Sequence, residues 1–198
     1  MDEFAGKLGL EFVPDGRGDL RKTFGPEEIF DYIYAVFHCP TYRERYAEFL
    51  KIDFPRVPLT SDADLFWRLV ELGGELVSLH LMEEHPVLAH PITHYPVPGD
   101  DRVKRRGGYP KYTPPNADEG IGGRVWINED QYVEGVPPQV WEFQVGGYQV
   151  LHKWLKDRRG RTLSFDELEH YQKIVVALQE TMRLMQEIDE TIPQWPIE

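Results

Sequence analysis

The chain has 198 residues, is 41% hydrophobic and 28% charged, and carries a formal net charge of −12, which argues against contact with nucleic acid. A single cysteine, Cys39, excludes an internal disulfide framework and a zinc site made only of cysteines. No apolar run approaches the roughly 18–20 residues of a membrane span, and the acidic N-terminus is unlike a secretory signal, so we expect a cytoplasmic protein.

The first part of the chain is predicted to be helical after a short tail. Residues 1–24 are glycine-rich and charged with weak periodicity, and we interpret them as a tail or connector. A helix is predicted to begin at Pro26, because proline favours the first helical position and the acidic residues after it favour the helix dipole. Another helix is predicted from Ser61 to about Glu84. Its central pair, Gly73-Gly74, costs helical stability, so close packing or a kink is expected there.

Short strands are predicted in the middle of the chain. Between residues 85 and 138, prolines and glycines separate short stretches with alternating polarity. Residues 123–128 and 131–133 are predicted to be strands of a small antiparallel sheet, joined by a hairpin turn at residues 128–130.

Helical periodicity returns in the last third. Residues 137–157 are predicted to be helical with an interruption near Gly146-Gly147, and the longest helix is predicted at about residues 164–190, after a capping box. The sequence therefore predicts an α+β fold in which residues 25–198 form a single helix-rich domain enclosing a small antiparallel sheet.

The common signatures of enzymes are absent from the sequence. It has no dinucleotide-binding fingerprint, no phosphate-binding loop and no nucleophile elbow. His80, His85, His90 and His94 recur near Glu84, but their spacing matches neither common zinc-binding helix motif. We interpret them as surface or packing histidines, with a small zinc hydrolase as one alternative. The prediction is that the chain has no catalytic residue, no metal and no cofactor.

Side chains suited to DNA are concentrated in the middle of the sequence. Residues 100–161 carry 11 basic and 9 acidic side chains, whereas residues 26–84 carry 5 and 12. Cations neutralise phosphates, and amide or guanidinium groups can read base edges. The candidate DNA-binding residues are Arg102, Lys104, Arg105, Arg106, Tyr109, Lys111, Tyr112, Arg124, Asn128, Gln131, Tyr132, Arg158, Arg159 and Arg161. A solvated basic surface that offsets acidic helices explains the same residues equally well.

Four long stretches of the sequence closely resemble the C-terminal end of type ISP restriction–modification proteins. They are PEEIFDYIYAVFHCPTYRERYAEFLKIDFPRVPL, FWRLVELGGELVSLHLME, GRVWINEDQYVEGVPPQVWEFQVGGYQVLHKWLKDRRGRTLS and ELEHYQKIVVALQET. The resemblance covers about residues 26–190, and it depends on these stretches rather than on any short motif.

The resemblance implies sequence-specific target recognition without chemistry in this chain. Type ISP proteins are long single chains that join a nuclease, a translocase, an N6-adenine methyltransferase and a DNA-specificity domain. The methyltransferase motif Asn-Pro-Pro-Tyr is absent, so S-adenosylmethionine is expected only in an associated methyltransferase domain. The implied partners are double-stranded DNA and the methyltransferase and nuclease–translocase portion of the same system. An acidic helical module that docks such a portion is the alternative function.

Overall fold

The structure is a computed structural model that describes residues 1–82 and 85–197, and the chain divides into two compact units. The first unit comprises Met1–Glu83 and Thr181–Glu198, and the second comprises Glu84–Glu180. The sequence prediction of a single domain over residues 25–198 differs from this division. Periodicity identifies individual elements, whereas their grouping depends on contacts between residues that are distant in sequence.

The first unit is mainly helical. Its elements are α1 (Asp2–Leu8), β1 (Glu11–Phe12), β2 (Thr23–Phe24), α2 (Pro26–His38), α3 (Pro40–Arg45), α4 (Ala47–Leu50), α5 (Ala63–Leu81) and the C-terminal part of α8 (Phe165–Thr191). The two short strands pair in parallel. The predicted helix start at Pro26 is confirmed, with Gly25 as its N-cap. The predicted end, near Glu84, of the helix that begins at Ser61 lies outside the described residues.

The segment predicted as a tail is folded into the first unit. Phe4, Leu8 and Phe24 are buried, and the rings of Phe4 and Phe24 both contact the ring of Phe66. Phe4 and Leu8 lie on one face of α1, but this helix has only seven residues, and β1 and β2 have two residues each, so none of these elements is long enough to show a clear period in the sequence. Their burial is a consequence of tertiary packing, which explains why the sequence pattern suggested a connector.

Helices α2 and α5 approach each other closely at Gly73. A Cβ atom at this position would lie 1.9 Å from the backbone carbonyl oxygen of Asp31 on α2. α5 continues as one helix from Ala63 to Leu81, so the close packing predicted from Gly73-Gly74 occurs within an uninterrupted helix. The core beside it contains the buried leucines of α5, Leu69, Leu72, Leu76 and Leu79.

The second unit combines short strands with helices. Its elements are a 3-10 turn (Pro86–Ala89), β3 (Lys111–Thr113), β4 (Arg124–Trp126), β5 (Tyr132–Glu134), α6 (Pro138–Glu142), β6 (Gln144–Val145), β7 (Tyr148–Gln149), α7 (Val150–Lys156) and the N-terminal part of α8. Strands β3, β4 and β5 form an antiparallel sheet in that order. The predicted hairpin is confirmed as β4–β5, and the predicted interruption at Gly146-Gly147 is the turn of the β6–β7 hairpin.

The fold is therefore α+β, as the sequence predicts. In the described ranges 1–82 and 85–197, none of the helices is both long enough and apolar enough to cross a membrane.

Candidate nucleic-acid interface

Two groups of candidate cations lie against each other in the second unit: the basic loop, residues 102–111, and the second basic segment, residues 158–161. The N–H of Val103 donates to the carbonyl of Arg161 at 2.9 Å, and the N–H of Gly160 donates to the carbonyl of Val103 at 2.6 Å. These hydrogen bonds hold the segments together in the manner of two short strands, although they are distant in sequence. The structure thus unites two groups of cations that the sequence identified separately.

The turn of the β4–β5 hairpin joins the same surface. The N–H of Lys104 donates to the carbonyl of Ile127 at 2.9 Å. The side-chain oxygen of Asn128 accepts hydrogen bonds from the N–H groups two and three residues ahead, at 3.0 and 2.8 Å, which forms the predicted turn. Its Nδ2 atom donates to the carbonyl of Arg102 at 3.2 Å. The amide of Asn128 therefore holds the turn against the basic loop.

A cleft of about 670 Å³ lies between the basic loop and this turn. Its walls include Arg102, Arg105, Arg106 and Gly160. The three arginine side chains are exposed, and among the described residues none of their guanidinium groups has an ion pair or a side-chain hydrogen bond. Guanidinium groups without a protein partner can bind phosphate oxygens or base edges.

The lysines of the basic loop have partners. Lys104 forms an ion pair with Glu129, which also lines the cleft. The ammonium group of Lys111 lies 4.4 Å from the ring centroid of Tyr109, a distance typical of a cation–π contact. The Tyr109 ring is buried, so it supports the loop and presents little surface to a ligand.

Gln131 is a structural residue in this arrangement, which corrects the expectation that it reads a base. Its side chain is only 2% exposed. Its Nε2 atom donates to the carbonyl of Val97 at 3.2 Å and to Oδ1 of Asp101 at 2.6 Å. Its Oε1 atom accepts from the N–H of Asp101 at 2.9 Å and from Nδ2 of Asn128 at 2.9 Å. Both ends of the amide are thus engaged within the protein.

The sheet residues among the candidates also have protein partners. Arg124 donates from Nε and Nη2 to one carboxylate oxygen of Glu134, its cross-strand neighbour, at 3.1 and 3.0 Å. Its guanidinium group lies 4.3 Å from the ring centroid of Tyr132. The hydroxyl of Tyr112 donates to the carbonyl of Val136 at 2.8 Å. The charge of Arg124 is therefore neutralised across the strand pair.

The second basic segment is partly neutralised by the first turn of α8. Arg158 and Arg161 both donate to Oε1 of Glu167, at 3.2 and 2.9 Å. Arg159 donates from Nε to the carbonyl of Tyr109 at 2.6 Å. This segment therefore fixes the basic loop and the start of α8, and it adds less free positive charge than its sequence indicates.

Gly160 is one residue of this surface that the sequence analysis did not single out. It has a φ of +83°, and a Cβ atom built on it would lie 2.1 Å from Nε of Arg105. The available signal was a glycine placed between cations in the run Arg158-Arg159-Gly160-Arg161. Such a run does not by itself reveal which side chain packs against the glycine.

The histidines do not assemble into a metal site in the described part of the chain. Nδ1 of His80 is 2.7 Å from the hydroxyl of Tyr34, and Nε2 is 2.8 Å from the hydroxyl of Thr181. Among the described residues, no group of three or more His, Cys, Asp or Glu side chains is placed to hold a metal ion. Glu84, which was considered together with these histidines, lies outside the described residues.

The two units differ strongly in charge. The first unit contains 10 basic and 20 acidic residues, whereas the second contains 12 basic and 14 acidic residues. Most of the net negative charge therefore belongs to the first unit. The cleft lies in the unit that is close to neutral, where DNA meets less repulsion.

Comparisons with known proteins identify one family. The sequence model described as the type ISP C-terminal specificity domain matches residues 2–187. Among curated protein sequences, none is significantly similar to the chain.

Three solved structures are similar in fold. A chain of the DrdV–DNA complex, determined by cryo-electron microscopy, aligns with a TM-score of 0.61 and 23% identity over 82% of this chain and 18% of that chain. A nuclease-deletion mutant of the type ISP enzyme LlaGI, in complex with a DNA substrate mimic, aligns with a TM-score of 0.58 and 25% identity. The alignment covers 88% of this chain and 14% of that chain. The ATP-dependent type ISP enzyme LlaBIII bound to DNA aligns with a TM-score of 0.58 and 20% identity, and the alignment covers 87% of this chain and 12% of that chain. The chain thus spans less than a fifth of each of these proteins.

Proposed function

Because the chain belongs to the type ISP C-terminal specificity domain family, we propose that it recognises target DNA for a restriction–modification system. Double-stranded DNA is its ligand, and its role is recognition without chemistry of its own. Methyl transfer, with its S-adenosylmethionine, and DNA cleavage belong to other parts of such a system. The three solved structures described above contain DNA or a DNA substrate mimic, which supports this assignment.

The observation that carries the proposal is the cleft with three arginines that have no ion pair among the described residues. Arg102, Arg105 and Arg106 border one concave surface in the less acidic unit. Asn128 and Gln131 hold the loop and the hairpin turn in place, since their amide groups bond to both. The cleft therefore combines exposed arginine side chains with a rigid frame, and Asp100, Glu129 and Asp130 also line it. Exposed guanidinium groups on a rigid frame suit recognition of a charged duplex of defined shape.

Target preference is proposed to be set by the loop and hairpin at residues 100–132. Truncating a large core side chain costs about 2–5 kcal/mol, so packed helices are poor places to encode different targets. A surface loop held on a rigid frame can change its side chains at little cost in stability.

A DNA titration at several salt concentrations tests the proposal. With about four to six phosphate contacts, log K against log salt should have a slope near −4 to −5. Replacing Arg105 and Arg106 together with alanine should flatten this slope by about one unit for each of the two side chains that contacts a phosphate.

The matched control replaces Arg21 and Lys22, two exposed cations of the first unit, with alanine. It changes the net charge equally but leaves the cleft intact, so its slope should stay close to that of the unmodified chain. A slope that is unchanged by the Arg105 and Arg106 replacements contradicts DNA contact at the cleft.

Docking of a protein partner is a second candidate function, and an exposed apolar ridge in the first unit favours it. Phe49, Ile52 and Phe54 are 68%, 83% and 90% exposed. Clustered apolar exposure of this kind often marks a protein interface. The partner proposed is the methyltransferase and translocase portion of the same system. Replacing Ile52 and Phe54 with serine should weaken its binding to the chain without changing the salt slope for DNA, and unchanged partner binding contradicts this role.

A further inference from the structure

The side chain of Arg105 packs against Gly160, which distinguishes it from Arg102 and Arg106 among the glycine contacts of the described residues. Its side-chain stem passes directly over the backbone of Gly160. A Cβ atom at position 160 would lie 2.1 Å from Nε of Arg105 and 2.9 Å from both Cγ and Cδ. Any residue other than glycine would therefore displace the Arg105 side chain. Glycine also suits the φ of +83° at this position, which L side chains rarely adopt.

Gly160 is itself fixed relative to the loop that carries Arg105. Its N–H donates at 2.6 Å to the carbonyl of Val103, two residues before Arg105. The N–H of Val103 in turn donates to the carbonyl of Arg161 at 2.9 Å. The surface under the guanidinium stem and the attachment point of the side chain thus belong to one hydrogen-bonded frame.

Among the described residues, no glycine lies beneath the Arg106 side chain in this way. Arg106 is exposed and is followed by Gly107 and Gly108, both with positive φ angles, of +80° and +78°. A side chain in this setting can follow a phosphate but loses more conformational entropy when it is held in one direction. Neutralising a phosphate requires only a nearby charge, whereas bidentate contact with guanine requires an oriented guanidinium group.

We infer that Arg105 is the cation that determines base preference in the cleft and that Gly160 is the residue that positions it. Arg105 contacts a base edge, and Arg106 contacts the phosphate backbone. This assignment rests on the proposed function, because it presupposes that DNA occupies the cleft. It separates two adjacent arginines that are indistinguishable in the sequence.

The first test is a binding selection on randomised duplexes with the full chain at low salt. Arg105→Lys retains the charge but loses the planar fork, so the salt slope should be unchanged. Preference at one base pair should fall by about 5- to 150-fold, the equivalent of roughly 1–3 kcal/mol. Arg106→Ala is the matched variant, and it should weaken binding to all sequences equally. Full base preference in the Arg105→Lys variant overturns the assignment.

The second test is Gly160→Ala, which leaves every charge in place. It should reduce the sequence preference at the same base pair as Arg105→Lys does. Combining Gly160→Ala with Arg105→Ala should reduce that preference no further than Arg105→Ala alone. A change at a different base pair, or an additive loss, contradicts a positioning role.

Thermal unfolding without DNA tests the Gly160–Arg105 contact by itself. Gly160→Ala should lower the Tm less when residue 105 is alanine, because the displaced side chain is then absent. Equal losses in the two backgrounds overturn the contact even if the cleft binds DNA. Failure of the full chain to bind DNA at low salt overturns the proposed function instead, and with it the assignment of Arg105.

Discussion

Replacing Gly73 with alanine should destabilise the first unit, although the same change in most helices is favourable. The new Cβ atom would lie 1.9 Å from the carbonyl oxygen of Asp31 on α2. Ordinary contact needs about 3.5 Å, so the two helices would have to separate by roughly 1.5 Å. The neighbouring atom belongs to the backbone, and no rotamer change can relieve the overlap.

The magnitude follows from two opposing effects. Alanine is better than glycine in a helix interior by about 1 kcal/mol. Overpacking of a tight interface costs about 1–3 kcal/mol, and a backbone overlap of this size belongs at the upper end. The expected net loss is about 2 kcal/mol in the free energy of unfolding, which lowers the Tm by about 4–8 °C for a chain of this length.

The adjacent Gly74 provides a matched control. A Cβ atom there would lie 3.4 Å from Oδ2 of Asp31, which is ordinary contact with a side chain. Gly74→Ala should therefore leave the Tm unchanged or raise it by a few degrees. Both variants can be compared by circular dichroism during heating. If Gly73→Ala and Gly74→Ala have the same Tm, the close approach of α2 and α5 is wrong.

Three further predictions concern charge, pH and activity. Arg17→Ala should cost about 2–4 kcal/mol in urea unfolding, because it leaves the buried carboxylates of Glu28 and Asp31 without their cation. An unchanged midpoint would show that Arg17 does not stabilise them. Burial, and to a smaller extent the charge of His38, lowers the pKa of His80 from 6.5 to about 4. As the pH falls, the unfolded state therefore takes up a proton on His80 before the folded state does. The free energy of unfolding should then decrease from pH 6.5 towards pH 4. This loss of stability should be modest because His80 keeps solvent contact, and it should be smaller still in the His80→Gln variant. Equal losses of stability in the two proteins would show that His80 is not the cause. The purified chain should transfer no labelled methyl group from S-adenosylmethionine to DNA, and measurable incorporation would refute the non-catalytic role.

Elements with local signals were predictable from the sequence. Pro26 occupies the first position of α2, as its neighbours predict. Ser164 and Glu167 exchange two hydrogen bonds of 3.1 Å in the capping box before α8. The Asn128 turn closes the β4–β5 hairpin. Each signal depends on residues only two or three positions apart, so it survives without knowledge of the fold.

The burial of acidic residues on α2 was decided by tertiary structure. The sequence favours Ile29 and Ile33 for the core-facing stripe, but both are only half-buried. Glu28 and Asp31 are buried instead, where Arg17 pairs with both at 3.3 and 2.8 Å. Arg17 comes from the segment predicted as a tail, and no local pattern reveals that it returns to this helix.

The candidate site shows the same limit. Composition and family resemblance identified the basic loop, the hairpin and the second basic segment before any contact was known. Which arginines are free depends on strand register and helix placement: Arg124 is neutralised by Glu134 across a strand pair, and Arg158 by Glu167 on α8. Arg105 has no such acidic neighbour among the described residues and packs on Gly160. Charge in the sequence therefore determined where DNA is expected, and only long-range contacts decided which cations remain available to bind it.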